Sequence, residues 1–220
     1  MPSRNPTYHE QRETSYTLQL RQLLTELPPY ARDYFRAAEQ KTSAKTRVSY
    51  AYDLLVFFRF LIEKNPELSS KSINGITLGD IDLLTSSDIE EYQEYLKYYE
   101  AENGEQKNGA PSIARKMSSL RSFLDYFYKK EMLTKNVAMQ VDMPKLHEKA
   151  IIRLEPDEVA IMLDNIENYE NQLTGKKKEF FLKTKIRDIA IITLFLGTGI
   201  RVSECVGLDI TDVNFRENSI

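Results

Sequence analysis

Cysteine is nearly absent from this chain. Cys205 is the sole one in 220 residues, so no disulfide can form within it. The two histidines, His9 and His147, are far apart in sequence, and no recognisable set of metal ligands is present, so neither a metal nor a cofactor is expected. Cys205 then reads as a small apolar packing residue. Long apolar runs are missing too. No stretch approaches the roughly eighteen apolar residues that a membrane-spanning helix needs, and the N-terminus MPSRNPTYHEQRETS has no apolar leader core. These absences exclude a disulfide scaffold and a membrane protein, and point to the cytoplasm. A large excess of one charge is also lacking. The net charge of −3 argues superficially against a nucleic-acid partner.

What is present is a 41% apolar sequence, long enough for one large domain or two small ones. Its charge is distributed unevenly. Lys41 to Lys64 holds five basic and two acidic residues, a sum of +3. Asn65 to Ala110 holds three and ten, a sum of −7, and Pro111 to Lys149 holds eight and four, a sum of +4. A fold that joins the two basic segments on one face would be basic there despite the acidic total.

The periodicity is helical almost throughout. Residues 1–15 lack it and read as a loose tail. Tyr16 to Glu26 and Pro29 to Glu39 read as short helices separated by Leu27-Pro28-Pro29. Thr42 or Ser43 can cap a helix to about Lys64, with Val48, Ala51, Tyr52, Leu55, Val56, Phe58, Phe60, Leu61 and Ile62 as its apolar stripe. Lys45, Thr46, Ser49 and Tyr50 lie on the opposite edge. Ser70 to Leu83 reads as a polar connection, Thr85 onward as a capped acidic helix to about Ala101, and Asn103 to Gly109 as a loop.

A further helix runs from Ser112 to about Lys130, with Ile113, Met117, Leu120, Phe123, Leu124 and Phe127 on the buried side. Arg115, Lys116, Ser118, Ser119, Arg121 and Ser122 take the remaining faces. Arginine, lysine and short hydroxyl side chains on an exposed helical face can reach phosphates and base edges. A solvated amphipathic face is the plainer meaning of the same pattern.

A polar, proline-containing linker at 143–150 separates this region, 16–142, from residues 151–220. Beyond it, Glu155-Pro156-Asp157-Glu158 opens a helix, Asn168 to Lys178 reads as a loop, and Arg187 to Leu196 as a buried helix. Gly197 should end that helix in the left-handed conformation, and Gly199 should allow a second bend. That leaves Arg201 at a helix start, beside unpaired N–H groups, as a cation suited to phosphate, with Glu204 one turn on to orient it.

The run RDIAIITLFLGTGIRVSECVGLD, residues 187–209, resembles the first catalytic motif of the tyrosine recombinases, the family of phage integrases and Xer recombinases. By that resemblance Arg201 is the first catalytic arginine and Glu204 its buried support. Ser112 to Tyr126, and TSAKTRVSYAYDLLVFFRFL at 42–61, resemble the fourth and second helices of the family's core-binding domain, which enter DNA grooves on one side of a C-shaped clamp. The segment around Leu27-Pro28-Pro29-Tyr30 is similar to the single-recombinase Xer proteins and integrases of Gram-positive bacteria.

The resemblance implies a mainly α fold: a SAM-like helical core-binding domain, then an incomplete catalytic domain of helices and the start of a small sheet near Ile210 to Ile220. It implies duplex DNA as partner, self-association on DNA for the complete protein, and cleavage through a 3′-phosphotyrosine without metal or cofactor. DNA contacts would fall on Lys45, Thr46, Ser49, Tyr50, Arg115, Lys116, Ser118, Arg121 and Ser122. The family's lysine turn, His-x-x-Arg motif and nucleophilic tyrosine have no match in these 220 residues. The chain is therefore expected to be inactive alone, with its second half less well covered than residues 20–142. Two other classes fit the residues: a truncated integrase that competes for recombination sites, and a helical interaction module using the acidic face from Ser87 to Ala101.

Overall fold

Proline decides the first break in the chain. Helix α1 spans Tyr8–Glu26 and α2 spans Ala31–Ala38, with Pro28 and Pro29 between them and the Pro28 carbonyl accepting from the Ala31 N–H. The computed structural model describes residues 6–101, 104–146, 153–217 and 219–220. By contact these form two compact units, His9–His147 and a second built on Glu148–Ile220. Of the expected linker, 143–146 carry no regular structure and 147–150 lie outside the described residues. Among the described residues, no helix is long and apolar enough to cross a membrane.

Helix α1 starts at Tyr8, where a loose tail was expected. Its first turns, HEQRETS, are helix-tolerant but polar, so they leave no apolar stripe to read. The hydroxyls of Thr14 and Thr17 donate back to the carbonyls of Glu10 and Glu13, both at 2.9 Å. Leu20 and Leu23 are its buried residues.

Helix α3, Ala44–Lys64, begins as its sequence dictates: the Ser43 hydroxyl accepts from the Thr46 N–H at 3.2 Å. The expected stripe shifts. Leu54 and Phe57 are fully buried, whereas Tyr52 is half exposed, its hydroxyl accepting from Gln19 Nε2 at 3.0 Å. The cause is contact on two sides, since α3 packs against both α5 and α6.

The stretch expected as a polar connection holds helix α4, Leu78–Leu83, and α5 follows at Ser86–Tyr95. Both open on the same Thr-x-x-Asp box. The Thr77 N–H donates to Asp80 at 2.8 Å and the Thr85 N–H to Asp88 at 2.7 Å, with each threonine hydroxyl accepting from the aspartate N–H. Helix α5 stops short of Ala101. Tyr98-Tyr99 favour extended backbone, and strands β1, Tyr98–Ala101, and β2, Gly104–Lys107, pair antiparallel with Tyr98 opposite Lys107 and Ala101 opposite Gly104. The region read as a loop is thus one arm of a hairpin.

Helix α6, Ala110–Lys129, is the centre of the first unit. Its six expected core residues are all buried. The Phe123 ring meets Tyr34 at 5.2 Å, Phe127 at 5.1 Å and Phe58 at 6.1 Å, all near edge-to-face.

The second unit holds α7, Pro156–Glu167, α8, Gly175–Thr198, and α9, Val202–Val206. Most of the expected loop at Asn168–Lys178 is a 3₁₀ turn, Tyr169–Gln172, and the first turn of α8. The helix expected to be buried has no buried residue, and the same holds for every described residue of this unit. Of the expected sheet, a single antiparallel bridge, Asn214 to Ser219, is present among the described residues.

Candidate nucleic-acid interface

Asp53 organises the face that α3 and α6 share. It lies in Tyr-Asp-Leu-Leu-Val-Phe-Phe, and α3 buries it to 1% exposure. A carboxylate so buried requires cations and hydrogen bonds, and α6 supplies them. Arg115 donates through both terminal nitrogens to the two carboxylate oxygens, Nη2 to Oδ1 at 2.8 Å, and Lys116 Nζ donates to Oδ1 at 3.0 Å. The seam fixes the register of the two helices and the aim of the Arg115 guanidinium, which remains half exposed.

A second point of closure lies about two turns along α6. The Tyr34 hydroxyl of α2 donates to Ser122 Oγ of α6 at 3.0 Å. Its phenol is pushed up to about 12, chiefly by burial and slightly by the nearby Tyr50 phenol, against the opposing pull of the Ser122 bond. Tyr50 on α3 and Ser122 on α6 therefore flank one buried tyrosine.

These contacts sort the residues singled out from sequence. Arg115, Ser118 and Ser122 follow the three-then-four spacing of one helical face, and all three are exposed. Lys45 is exposed, and Thr46, Ser49 and Tyr50 are half-buried along the first turns of α3. Of these seven, Arg115 forms the α3–α6 seam itself, and the other six lie on the same two helices.

Three others are placed differently. Lys116, expected on an open face, is only 8% exposed and neutralises Asp53. Ser119 is fully buried and donates to the Lys116 carbonyl at 2.8 Å. Arg121 spends its donors on main chain: Nε on the Ala138 carbonyl at 2.9 Å and Nη2 on that of Val141. It clips the segment that follows α6. Tyr126 packs its ring against Tyr34 at 5.9 Å. Sequence reasoning passed over Asp53, although a lone carboxylate inside an apolar helical run is a signal of a buried ion partner.

The glycine corner differs in detail from its expectation. Gly197 remains helical, and Gly199 takes the left-handed conformation at φ 66°, its N–H donating to the Phe195 carbonyl at 2.9 Å. The Thr198 hydroxyl, donating to the Leu194 carbonyl at 2.6 Å, carries the helix past the first glycine. Arg201 precedes the first turn of α9. Its N–H donates to Glu204 Oε2 at 2.8 Å and its Nη1 to Oε1 at 3.1 Å. Those bonds, the backbone one first, hold the Glu204 carboxyl below the usual carboxylate range. Glu204 pairs with Arg201, but neither is buried: the Arg201 side chain is 81% exposed and that of Glu204 48%. The carboxylate also occupies the Arg201 N–H that an anion was expected to meet.

A SAM-like helical domain and a Gly-x-Gly-x-Arg-x-x-Glu corner point to one class, and the chain belongs to the tyrosine recombinase family. Residues 32–131 match the family model described as phage integrase, N-terminal SAM-like domain. The chain is 36% identical over 185 residues to tyrosine recombinase XerC of Caldanaerobacter subterraneus subsp. tengcongensis, covering 82% of this chain and 47% of that protein. It is 31% identical over 214 residues to tyrosine recombinase XerS of Streptococcus pyogenes serotype M5, covering 86% and 58%. The XerS of Streptococcus thermophilus is 29% identical over 210 residues, covering 86% and 59%. The chain thus spans about half the length of the curated relatives it matches. No solved structure matches it.

Proposed function

We propose that this chain grips duplex DNA through the α3–α6 face, as the DNA-binding portion of a site-specific tyrosine recombinase acting in the cytoplasm. The observation that carries the reading is the buried Asp53–Arg115–Lys116 seam, which holds the exposed ends of two basic helices in one fixed register. Arg115, Ser118 and Ser122 on α6, with Lys45, Thr46, Ser49 and Tyr50 on α3, supply the cations and hydroxyls that meet backbone phosphates and base edges. Lys116 and Arg121 support that face from behind.

In the whole protein, the proposed reaction is attack by a tyrosine hydroxyl on the scissile phosphorus. The phosphotyrosine bond forms as the bond to the 5′-oxygen breaks, and that oxygen leaves as a hydroxyl after taking a proton. Arg201 is proposed to neutralise the non-bridging oxygens as charge gathers there, with Glu204 holding its guanidinium.

The test is the salt dependence of duplex binding. Lys45→Glu combined with Ser118→Glu changes two exposed positions and leaves the core intact. Duplex affinity should fall, and the slope of log affinity against log salt should shrink by about one unit for the lost lysine contact. An unchanged slope would overturn the assignment of this face. If the unsubstituted chain shows no salt-dependent duplex binding at all, an interaction module using the acidic face of α5 becomes the better reading.

A further inference from the structure

Residues 1–40 carry five basic and five acidic side chains and sum to zero, yet the fold concentrates the arginines. A groove between α1, α2 and the first turns of α3 encloses a cavity of about 470 Å³, with Arg21, Arg32, Arg36 and Arg47 around it and Phe35 in its apolar lining. Glu39 is the only carboxylate in that lining. It takes Arg47 Nη2 at 3.3 Å, while Asp33 takes Arg36 Nη1 at 3.3 Å. Arg21 and Arg32 have no ion pair among the described residues and are exposed.

Arg47 provides a second, independent sign of a ligand. It is only 5% exposed, and its Nε has no hydrogen-bond partner among the described residues. A buried guanidinium with an unmet donor is costly, so such donors are ordinarily satisfied by protein, water or a bound group. Here the unmet donor belongs to a residue that lines the arginine groove.

We propose that this groove binds backbone phosphates of duplex DNA, extending the α3–α6 face onto α1 and α2; this rests on the DNA-binding reading above. Guanidinium forks match phosphate and carboxylate oxygens two at a time, and several of them in one groove suit a polyanion. The groove also ends on the first turns of α3, where Lys45 and Thr46 lie. A duplex lying across the N-terminal end of α3 would meet both sets of cations.

The experiment compares two variants of the full chain by fluorescence anisotropy with a labelled duplex across a salt series. Arg21→Gln/Arg32→Gln/Arg36→Gln changes only exposed groove residues, away from the α3–α6 seam. Its log–log salt slope should be shallower by about two to three units. The advantage of the unsubstituted chain should then shrink about 16- to 64-fold between about 50 and 200 mM salt. If Lys45→Glu/Ser118→Glu lowers the slope and the triple variant does not, the groove proposal is overturned while the α3–α6 reading stands. If neither moves it, both fall.

A second measurement needs no substitution. Phenylglyoxal modification of the unsubstituted chain, mapped by mass spectrometry, should show Arg21, Arg32 and Arg36 shielded by duplex and not by inorganic phosphate at equal phosphate concentration. Equal shielding by inorganic phosphate would make the groove a small-anion site and overturn the assignment to DNA. Shielding by neither would overturn the site.

Discussion

Helices α6 and α8 differ less in sequence than in their surroundings. Helix α6 has 20 residues and α8 has 24, and both carry aromatic and aliphatic side chains at helical spacing. Yet α6 buries eight positions and α8 none. The reason is the company each keeps. Within its unit α6 is met by α2, α3 and the turn at Val137–Met139, whereas α8 meets α7 and one 3₁₀ turn. Apolar content brings a helix into contact with whatever faces it; the number of facing elements decides whether it is covered. The two cations of greatest interest show the same contrast. Arg115 is aimed by a carboxylate that water cannot reach, and Arg201 by one that it can.

The largest effect should come from testing that contrast in the core. Phe123→Ala removes a ring with four aromatic neighbours, and should cost about 3–5 kcal/mol. Phe195→Ala, on partly exposed α8, should cost less than about 1 kcal/mol. Urea titration followed by circular dichroism reads both, and equal losses would erase the difference between the units.

A somewhat smaller loss, about 3 kcal/mol, is expected for Asp53→Ala, which leaves the Lys116 ammonium buried without its partner. Asp53→Leu combined with Lys116→Met should recover most of that stability, yet not the duplex affinity, because Arg115 would no longer be held. Recovery of both would mean that the seam only packs the two helices.

The smallest effect compares two capping carboxylates. Asp80 is held below the usual carboxylate range first by Lys71, whose Nζ meets both its oxygens at 2.7 Å, and then by the Thr77 N–H. A carboxyl depressed in the folded state contributes stability above its unfolded value, near about 4, and that contribution disappears as pH falls through the lower folded value. Asp80→Asn should therefore lower stability at neutral pH by about 1 kcal/mol, the usual worth of a cap, and flatten the acid limb. Glu204→Gln, at a carboxylate whose side chain is 48% exposed and whose ion pair is screened by water, should flatten that limb less. Thermal melts between pH 7 and strongly acidic conditions distinguish the two.

Much of the fold was legible because its signals are local. Pro28 and Pro29 break the first helices, Ser43 caps α3, and the apolar spacing of Ile113 to Phe127 marks the inner side of α6. The helical start at Tyr8 and the Tyr98–Lys107 hairpin were not legible: polar helical turns have no stripe, and a short hairpin shows little alternation. The site was legible in its residue types and less so in their roles. Lys116 and Arg121 look like surface cations until Asp53 and the carbonyls of Ala138 and Val141 are seen to claim them.

By itself the sequence determined the helical character, the breaks and caps, and the wording of the Arg201 corner, since each depends on residues within about one turn of each other. Only the tertiary structure decided which cations face outward. That choice turns on partners distant in the chain: Asp53 lies 62 residues before Arg115, and Arg47 joins arginines from two other helices in one groove. Charge is written locally, but the dielectric around it is set by whatever packs against it, and so the same residue type becomes a ligand for solvent, for protein or for phosphate.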